Sequence, residues 1–294
     1  MPNADPKPLW LRIKIPAYTN TTESLAQIKN RSLCTVCVEA RCPNQLECFG
    51  RGTATFMLLG PFCTRNCTFC AVKKNRINPP DPNEPVRIAK ALAQMDLTYC
   101  VLTMVTRDDL QDGGAQHIIE TIKEIYSHKN DIKIELLVSD FNGNWDALNS
   151  VLDAKPAVLN HNIETVPRLY PSVRPQADYK RSIELLSRAS AHDSGVVTKS
   201  GMMLGMGESK TEVIQTLKNL GQAGCQLITL GQYLAPSKHH HPVVRYVTPK
   251  EFKEYELEAY RLGFVGIASS PLVRSSYRAD LLYASSIFKK NPPE

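Results

Sequence analysis

The stretch Gly60-Pro61-Phe62-Cys63-Thr64-Arg65-Asn66-Cys67-Thr68-Phe69-Cys70-Ala71-Val72 sets three thiols in eight residues, spaced C-x3-C-x2-C. A strand-like run, Thr53 to Leu59, leads into it. A loop of this length can wrap three thiolates around one small object, and soft thiolates suit a cluster of iron and sulfide. Three ligands on a four-iron cluster leave one iron open to a bound molecule, the same logic that separates catalytic from structural zinc. Zinc itself wants a fourth Cys or His close by. None follows within the next twenty residues, so His117 or a remote residue would have to complete such a site. Disulfides want oxidising surroundings.

Composition points the same way. The chain has 294 residues, 43% hydrophobic and 22% charged, an ordinary globular balance that allows one large α/β domain with an appendage. No apolar run reaches the ~18 residues that span a bilayer. Met1 to Pro16 lacks a signal-peptide apolar core and the Arg/Ser richness of a transit peptide. The expectation is a soluble, cytoplasmic protein in reducing surroundings. Seven of the nine cysteines fall between Cys34 and Cys70, and such clustering favours metal over disulfides. The net charge of +6 is spread along the chain. It forms neither the basic stripe nor the motif that nucleic acid demands, and it suits an acidic protein partner or a plain solvated surface.

A second triplet, Cys37, Cys42 and Cys48, is spaced C-x4-C-x5-C. Zinc, or redox chemistry at Cys34-x-x-Cys37, are the plain alternatives, though the redox reading lacks a βαβ context. C-x3-C-x2-C with Phe69 before its last Cys resembles the radical S-adenosylmethionine (SAM) enzymes. C-x4-C-x5-C ahead of it is similar to lipoyl synthases, and the similarity runs from Thr35 almost to the C-terminus. Val38 and Phe49 depart from that pattern, where an acidic residue and a Trp are expected, and Cys34 matches no role in it. The resemblance implies that Cys63, Cys67 and Cys70 hold a SAM-cleaving cluster and that Cys37, Cys42 and Cys48 hold an auxiliary one.

Beyond the stiff turn Asn78 to Pro82 the pattern alternates. Apolar runs at Tyr99 to Val105, Ile132 to Ser139, Ala157 to Ile163, Val196 to Leu204 and Leu227 to Tyr233 predict strands. Helical spacing marks Val86 to Met95, Ala115 to His128, Trp145 to Leu152, Asp178 to His192, Lys210 to Ala223 and Pro249 to Leu262. Upstream, prolines at 2, 6, 8 and 16 oppose early helix. Trp10, Leu11, Ile13 and Ile15 are expected to pin this arm, and Thr21 to Ser24 to cap a short helix through Ile28. Six βα units predict a parallel sheet, about two units short of a full barrel. Periodicity alone does not separate a partial barrel from a doubly wound sheet. The resemblance implies a partial (β/α)6 barrel at 51–264, an N-terminal extension at 1–50 carrying the auxiliary motif, and a C-terminal extension at 265–294. In either architecture the working face lies at the strands' C-terminal ends.

Polar stretches follow those ends. Thr106 to Gly114 carries an Arg and three carboxylates, which a helix-capping loop would also explain. Asn160 to Tyr170, then Arg174, offers side chains suited to ribose hydroxyls and to a carboxylate. His161 is read as a packed strand residue over a general base. The glycines of Lys199 to Glu208 suggest close backbone approach, or a tight turn. His239, His240 and His241 point different ways on a loop, which argues against shared ligation. The resemblance implies more. Asp108 and Asp109 become candidates for the SAM amino group, Asn162 and Glu164 for its nucleoside, and Arg174 for its carboxylate. Ser276, in Arg274-Ser275-Ser276-Tyr277, becomes the fourth ligand of the auxiliary cluster, where a Ser-rich helix cap is the plain alternative.

The implied function is insertion of two sulfur atoms at C6 and C8 of an octanoyl chain on a carrier lysine. The implied cofactors are two four-iron, four-sulfide (4Fe-4S) clusters, one of them sacrificed, with two SAM per lipoyl group. The implied partners are an octanoylated lipoyl carrier (a 2-oxoacid dehydrogenase lipoyl domain or a glycine-cleavage H protein), an electron donor such as ferredoxin or flavodoxin, and a cluster-repair protein. A biotin-synthase-like enzyme and a non-catalytic zinc-binding interaction protein are the alternatives.

Overall fold

Seven strands pair side by side, all parallel, in the order in which the chain makes them. They are β1 (Thr55–Leu58), β2 (Tyr99–Met104), β3 (Lys133–Leu137), β4 (Val158–Asn160), β5 (Val197–Leu204), β6 (Leu227–Gln232) and β7 (Gly266–Ser269). A doubly wound sheet would reverse its strand order at a switch point; this one never does, so the chain winds in one direction as a barrel does. Among the described residues β1 and β7 are not paired, and the barrel is partial. This computed structural model describes residues 6–12, 33–50, 55–74, 77–95 and 97–290.

The crossover helices lie where helical spacing predicts them: α3 (Glu84–Ala93), α4 (Ala115–His128), α5 (Trp145–Asp153), α7 (Tyr179–Ala191), α8 (Lys210–Gln222) and α9 (Pro249–Arg261). The short α6 (Tyr170–Val173) precedes α7. Side-chain caps set several starts. Asn144 accepts from the Ala147 N–H, and Asp178 from that of Arg181. Ser209 with Glu212 and Thr248 with Glu251 form capping boxes, Pro249 occupying the first turn. Apolar helix faces (Ile118, Ile122, Leu148, Leu185) bury against the outer sheet face (Leu102, Ile134, Leu136, Leu159).

The strand β7 and the helix α10 (Ala279–Lys290) lie in the C-terminal segment and were not among the expected elements. Gly266-Ile267-Ala268-Ser269 is short and carries little β-propensity. A Cβ on Gly266 would stand 2.6 Å from Leu227 Cδ2, so a larger residue there would displace that side chain. Leu282 of α10 packs on Val158, Val197 and Leu227, with Tyr283 beside it. This apolar group includes the lower inward-facing residues of three strands. Above it sits a polar layer. Glu135 accepts from the Lys199 ammonium at 2.7 and 3.0 Å, from the Asn160 amide at 3.1 Å and from the Tyr99 hydroxyl at 2.7 Å.

At the other edge, α1 (Val36–Glu39) and α2 (Gln45–Gly50) carry the first cysteine triplet. Thr35 bridges Phe56 antiparallel, and the Met57 N–H donates to the Cys34 carbonyl at 2.9 Å, so this segment covers the free edge of β1. Upstream, Leu11 is buried and Trp10 exposed. Ile13, Ile15 and the expected cap at Thr21 to Ser24 lie outside the described residues. No helix among the described residues is long and apolar enough to cross a membrane.

Candidate active site

The C-terminal ends of the strands open onto a cavity of about 800 Å³. Cys63, Cys67 and Cys70 line it, as do Cys37, Cys42, Cys48 and Ser276, and so do Asn162, Glu164 and Arg174. Sequence positions from 37 to 276 thus share one space. Asp108 and Asp109 are not among its lining residues.

The loop after β1 is held by its neighbours. Phe62–Cys63 pairs with Lys73–Lys74, which closes the loop at its base. The Thr64 hydroxyl donates to the Thr106 carbonyl and the Thr68 hydroxyl to that of Ser172. Arg65 is buried, forks onto Asp108 at 2.7 and 2.9 Å, and reaches Asp140 at 2.5 Å. Arg181 takes the other oxygen of Asp140 at 3.3 Å. Burial alone would raise the Asp140 carboxyl, but the Arg65 hydrogen bond and charge outweigh it and hold it at about 2. One guanidinium therefore stitches the loops after β1, β2 and β3 together.

No disulfide joins any of the nine cysteines. Burial pushes the Cys37, Cys42 and Cys67 thiols up, and that of Cys70 to about 12. Thiolates in such a place need cationic charge beside them, and metal coordination deprotonates a thiol outright. The two triplets have the soft-donor chemistry of iron–sulfur ligands, and among the described residues no three His, Cys, Asp or Glu side chains gather closely enough to hold a single metal ion.

The first triplet is tied to the C-terminal segment. The Cys42 N–H donates to the Cys37 carbonyl at 3.0 Å, which folds these two residues onto one turn. The Asn44 amide donates to the Leu272 carbonyl at 2.7 Å. The Tyr277 hydroxyl and the Arg278 guanidinium both donate to Glu47, each at 2.9 Å. These contacts bring Ser275 and Ser276 to the triplet. The Ser275 hydroxyl donates to Asn162, whereas none of the side-chain hydrogen bonds seen among the described residues engages Ser276.

On the far wall, the Asn162 amide donates to Glu164 at 3.0 Å. Burial raises the Glu164 carboxyl, partly offset by Arg174. Arg174 spends one arm on the Asn162 carbonyl at 3.0 Å and the Tyr170 hydroxyl at 3.1 Å. Its Nε is buried with no hydrogen-bond partner. A buried orphan donor on a cation fits an anionic ligand group such as the SAM carboxylate.

The remaining candidates fall on both sides of expectation. Asp108 and Asp109 do not reach the cavity wall, because Arg65 and Arg107 claim them; Arg107 forks onto Asp109 at 2.8 and 2.6 Å. His161 is a packed residue, its ring nitrogens facing the Val138 carbonyl and the Ser182 hydroxyl, and burial lowers it to about 4. Gly205 serves the strand-to-helix turn. A Cβ there would collide with Gln232 and the Arg245 carbonyl, while Glu208 accepts from the Gly205 and Met206 N–H groups. His240 faces Ser237 and His241 faces the Met206 carbonyl, so the two rings have separate partners. Sequence reading missed Arg65 and Asp140; their pairing spans seventy-five positions, and no local signal carries it.

Residues 57–220 match the Radical SAM superfamily. The lipoyl synthase of Caldicellulosiruptor saccharolyticus is 52% identical over 274 residues, 93% of this chain and 96% of its own length. That of Alkaliphilus metalliredigens is 49% identical over 277 residues, 94% and 96% of the two chains. Among solved structures, the FeFe-hydrogenase maturase HydG from Carboxydothermus hydrogenoformans aligns with a TM-score of 0.58 at 19% identity, over 79% of this chain and 56% of its own. Methylornithine synthase aligns at 0.54 and 16% identity, over 71% and 62%. Both share the fold. With half its residues identical to these synthases over nearly its whole length, the chain belongs to the lipoyl synthase family of radical SAM enzymes.

Proposed function

We propose that this enzyme inserts sulfur at C6 and C8 of an octanoyl amide on a carrier lysine, and that the sulfur comes from an auxiliary 4Fe-4S cluster on Cys37, Cys42, Cys48 and Ser276. The observation that carries this is one cavity lined by both cysteine triplets, Ser276 and the nucleoside candidates. When bound, the clusters and two SAM per lipoyl group supply a hydrogen-abstracting radical and the sulfide, chemistry that acid–base groups cannot provide at such C–H bonds.

The chain's own residues hold and exclude. Cys63, Cys67 and Cys70 anchor one cluster on a loop that Arg65 braces. Arg174 takes the SAM carboxylate in this reading, and Asn162 and Glu164 the ribose hydroxyls. Val101, Val105, Leu137 and Met203 line the cavity with apolar surface suited to an acyl chain. The carrier is of the 2-oxoacid dehydrogenase lipoyl-domain or glycine-cleavage H-protein type. A ferredoxin or flavodoxin supplies electrons, and an iron–sulfur carrier rebuilds the spent cluster.

The test uses anaerobically reconstituted protein with SAM, a strong reductant and an octanoyl-lysyl peptide. About eight irons and eight sulfides per chain are expected, with stepwise peptide mass gains for one and then two sulfurs. About four irons, with SAM cleaved and the peptide unchanged, would remove the auxiliary cluster and the sulfur insertion together.

A further inference from the structure

We infer that Ser275 is a positioning residue that couples the seating of the C-terminal segment to the orientation of Asn162, and so ties binding of SAM to the auxiliary site. The inference rests on the reading of Asn162 as a nucleoside contact and of Ser276 as a cluster ligand.

Ser275 lies next to Ser276, and its hydroxyl donates to Asn162 Oδ1 at 2.7 Å across 113 positions. The Asn162 amide then donates to Glu164 Oε1 at 3.0 Å. The chain of bonds has one sense. A carboxylate accepts only, so the Asn162 amide nitrogen must face Glu164 and its oxygen must face a donor. Ser275 is that donor. Without it the Asn162 side chain keeps its bond to Glu164 but loses the contact that holds its oxygen.

The meeting point is built for this contact. Gly201 on β5 lies beneath it, and a Cβ there would stand 2.7 Å from Asn162 Oδ1, 2.7 Å from Thr229 Oγ1 and 2.8 Å from Ser275 Oγ. Side chains from the loop after β4, from β6 and from the C-terminal segment fill the space that the missing side chain leaves. Gly201 has an ordinary backbone conformation, so its lack of a side chain serves this approach. The same segment reaches the first triplet through Leu272, Tyr277 and Arg278. A single stretch therefore presents Ser276 to one cluster site and fixes a SAM-contacting side chain at the other. Coupling of this kind is reciprocal: SAM that orders Asn162 also favours the seated segment.

The test measures SAM binding by equilibrium dialysis on the reconstituted enzyme, with iron counted in parallel. Ser275→Ala is expected to weaken SAM about three- to tenfold, the range of one lost neutral hydrogen bond. Ser275→Thr, which keeps a hydroxyl, is expected to restore it. Asn162→Ala is expected to weaken SAM as well, and Ser275→Ala added to it to cost little more, since the two residues act as one unit. If Asn162→Ala weakens SAM while Ser275→Ala does not, the coupling is overturned and the nucleoside reading survives. If neither does, both fall. Iron lost from Ser275→Ala with SAM affinity per SAM-cleaving site unchanged would also overturn the coupling, because the hydroxyl would then serve only the first triplet.

Discussion

Cys42→Ala protein is expected to cleave SAM but to insert no sulfur into the octanoyl-lysyl peptide, and Cys70→Ala protein to do neither. The two thiols line the same cavity but belong to different frames. Cys70 sits in the loop that Phe62–Cys63 and Lys73–Lys74 close and that Arg65 braces against Asp108 and Asp140. Cys42 sits between α1 and α2, fastened to the C-terminal segment through Asn44 and Glu47. Removing one cysteine of a triplet leaves the other frame untouched, so each variant should keep about four irons. Yields of 5′-deoxyadenosine and of thiolated peptide report the two functions separately. Loss of SAM cleavage in Cys42→Ala, or its survival in Cys70→Ala, would reverse the assignment of the triplets.

Lys199→Ala is expected to cost about 3–5 kcal/mol of folding stability, the penalty for leaving a buried charge without its partner. Lys199 and Glu135 are both 0% exposed, with the ammonium 2.7 Å from the nearer carboxylate oxygen. Asn160 and Tyr99 satisfy further positions on that carboxylate, so removing the lysine strands a solvated-type anion among neutral donors. The double change Lys199→Met with Glu135→Leu is expected to recover much of the loss, because a buried pair is often no more stabilising than apolar residues of similar volume. Denaturant melts of the single and double variants check this. A single variant within about 0.5 kcal/mol of the parent would mean that the layer is wet or that Glu135 moves to solvent.

What the sequence made legible was local. Cysteine spacing is a short-range signal, and so are the 3.6- and 2-residue periods that located six strands and six crossover helices. The partial barrel became distinguishable from a doubly wound sheet only through strand order, which periodicity does not encode. The strand β7 escaped because Gly266 and Ala268 pack by being small. Asp108 and Asp109 are ligand candidates only through the resemblance, since the residues themselves suit a helix-capping loop as readily. The structure instead pairs Asp108 with Arg65 from another loop and Asp109 with Arg107. Ser275 and Ser276 could be told apart only by resemblance, since neighbouring serines are chemically alike until Asn162 takes one of them.

That Cys37, Cys42, Cys48 and Ser276 hold the sulfur source is tested most directly by isotope. The protein is reconstituted with heavy-isotope sulfide, exchanged into buffer with ordinary sulfide, and given SAM, reductant and octanoyl-lysyl peptide for one turnover. Heavy sulfur at both positions of the product is the expected result. Light sulfur in the product, with the clusters still heavy, would contradict the assignment.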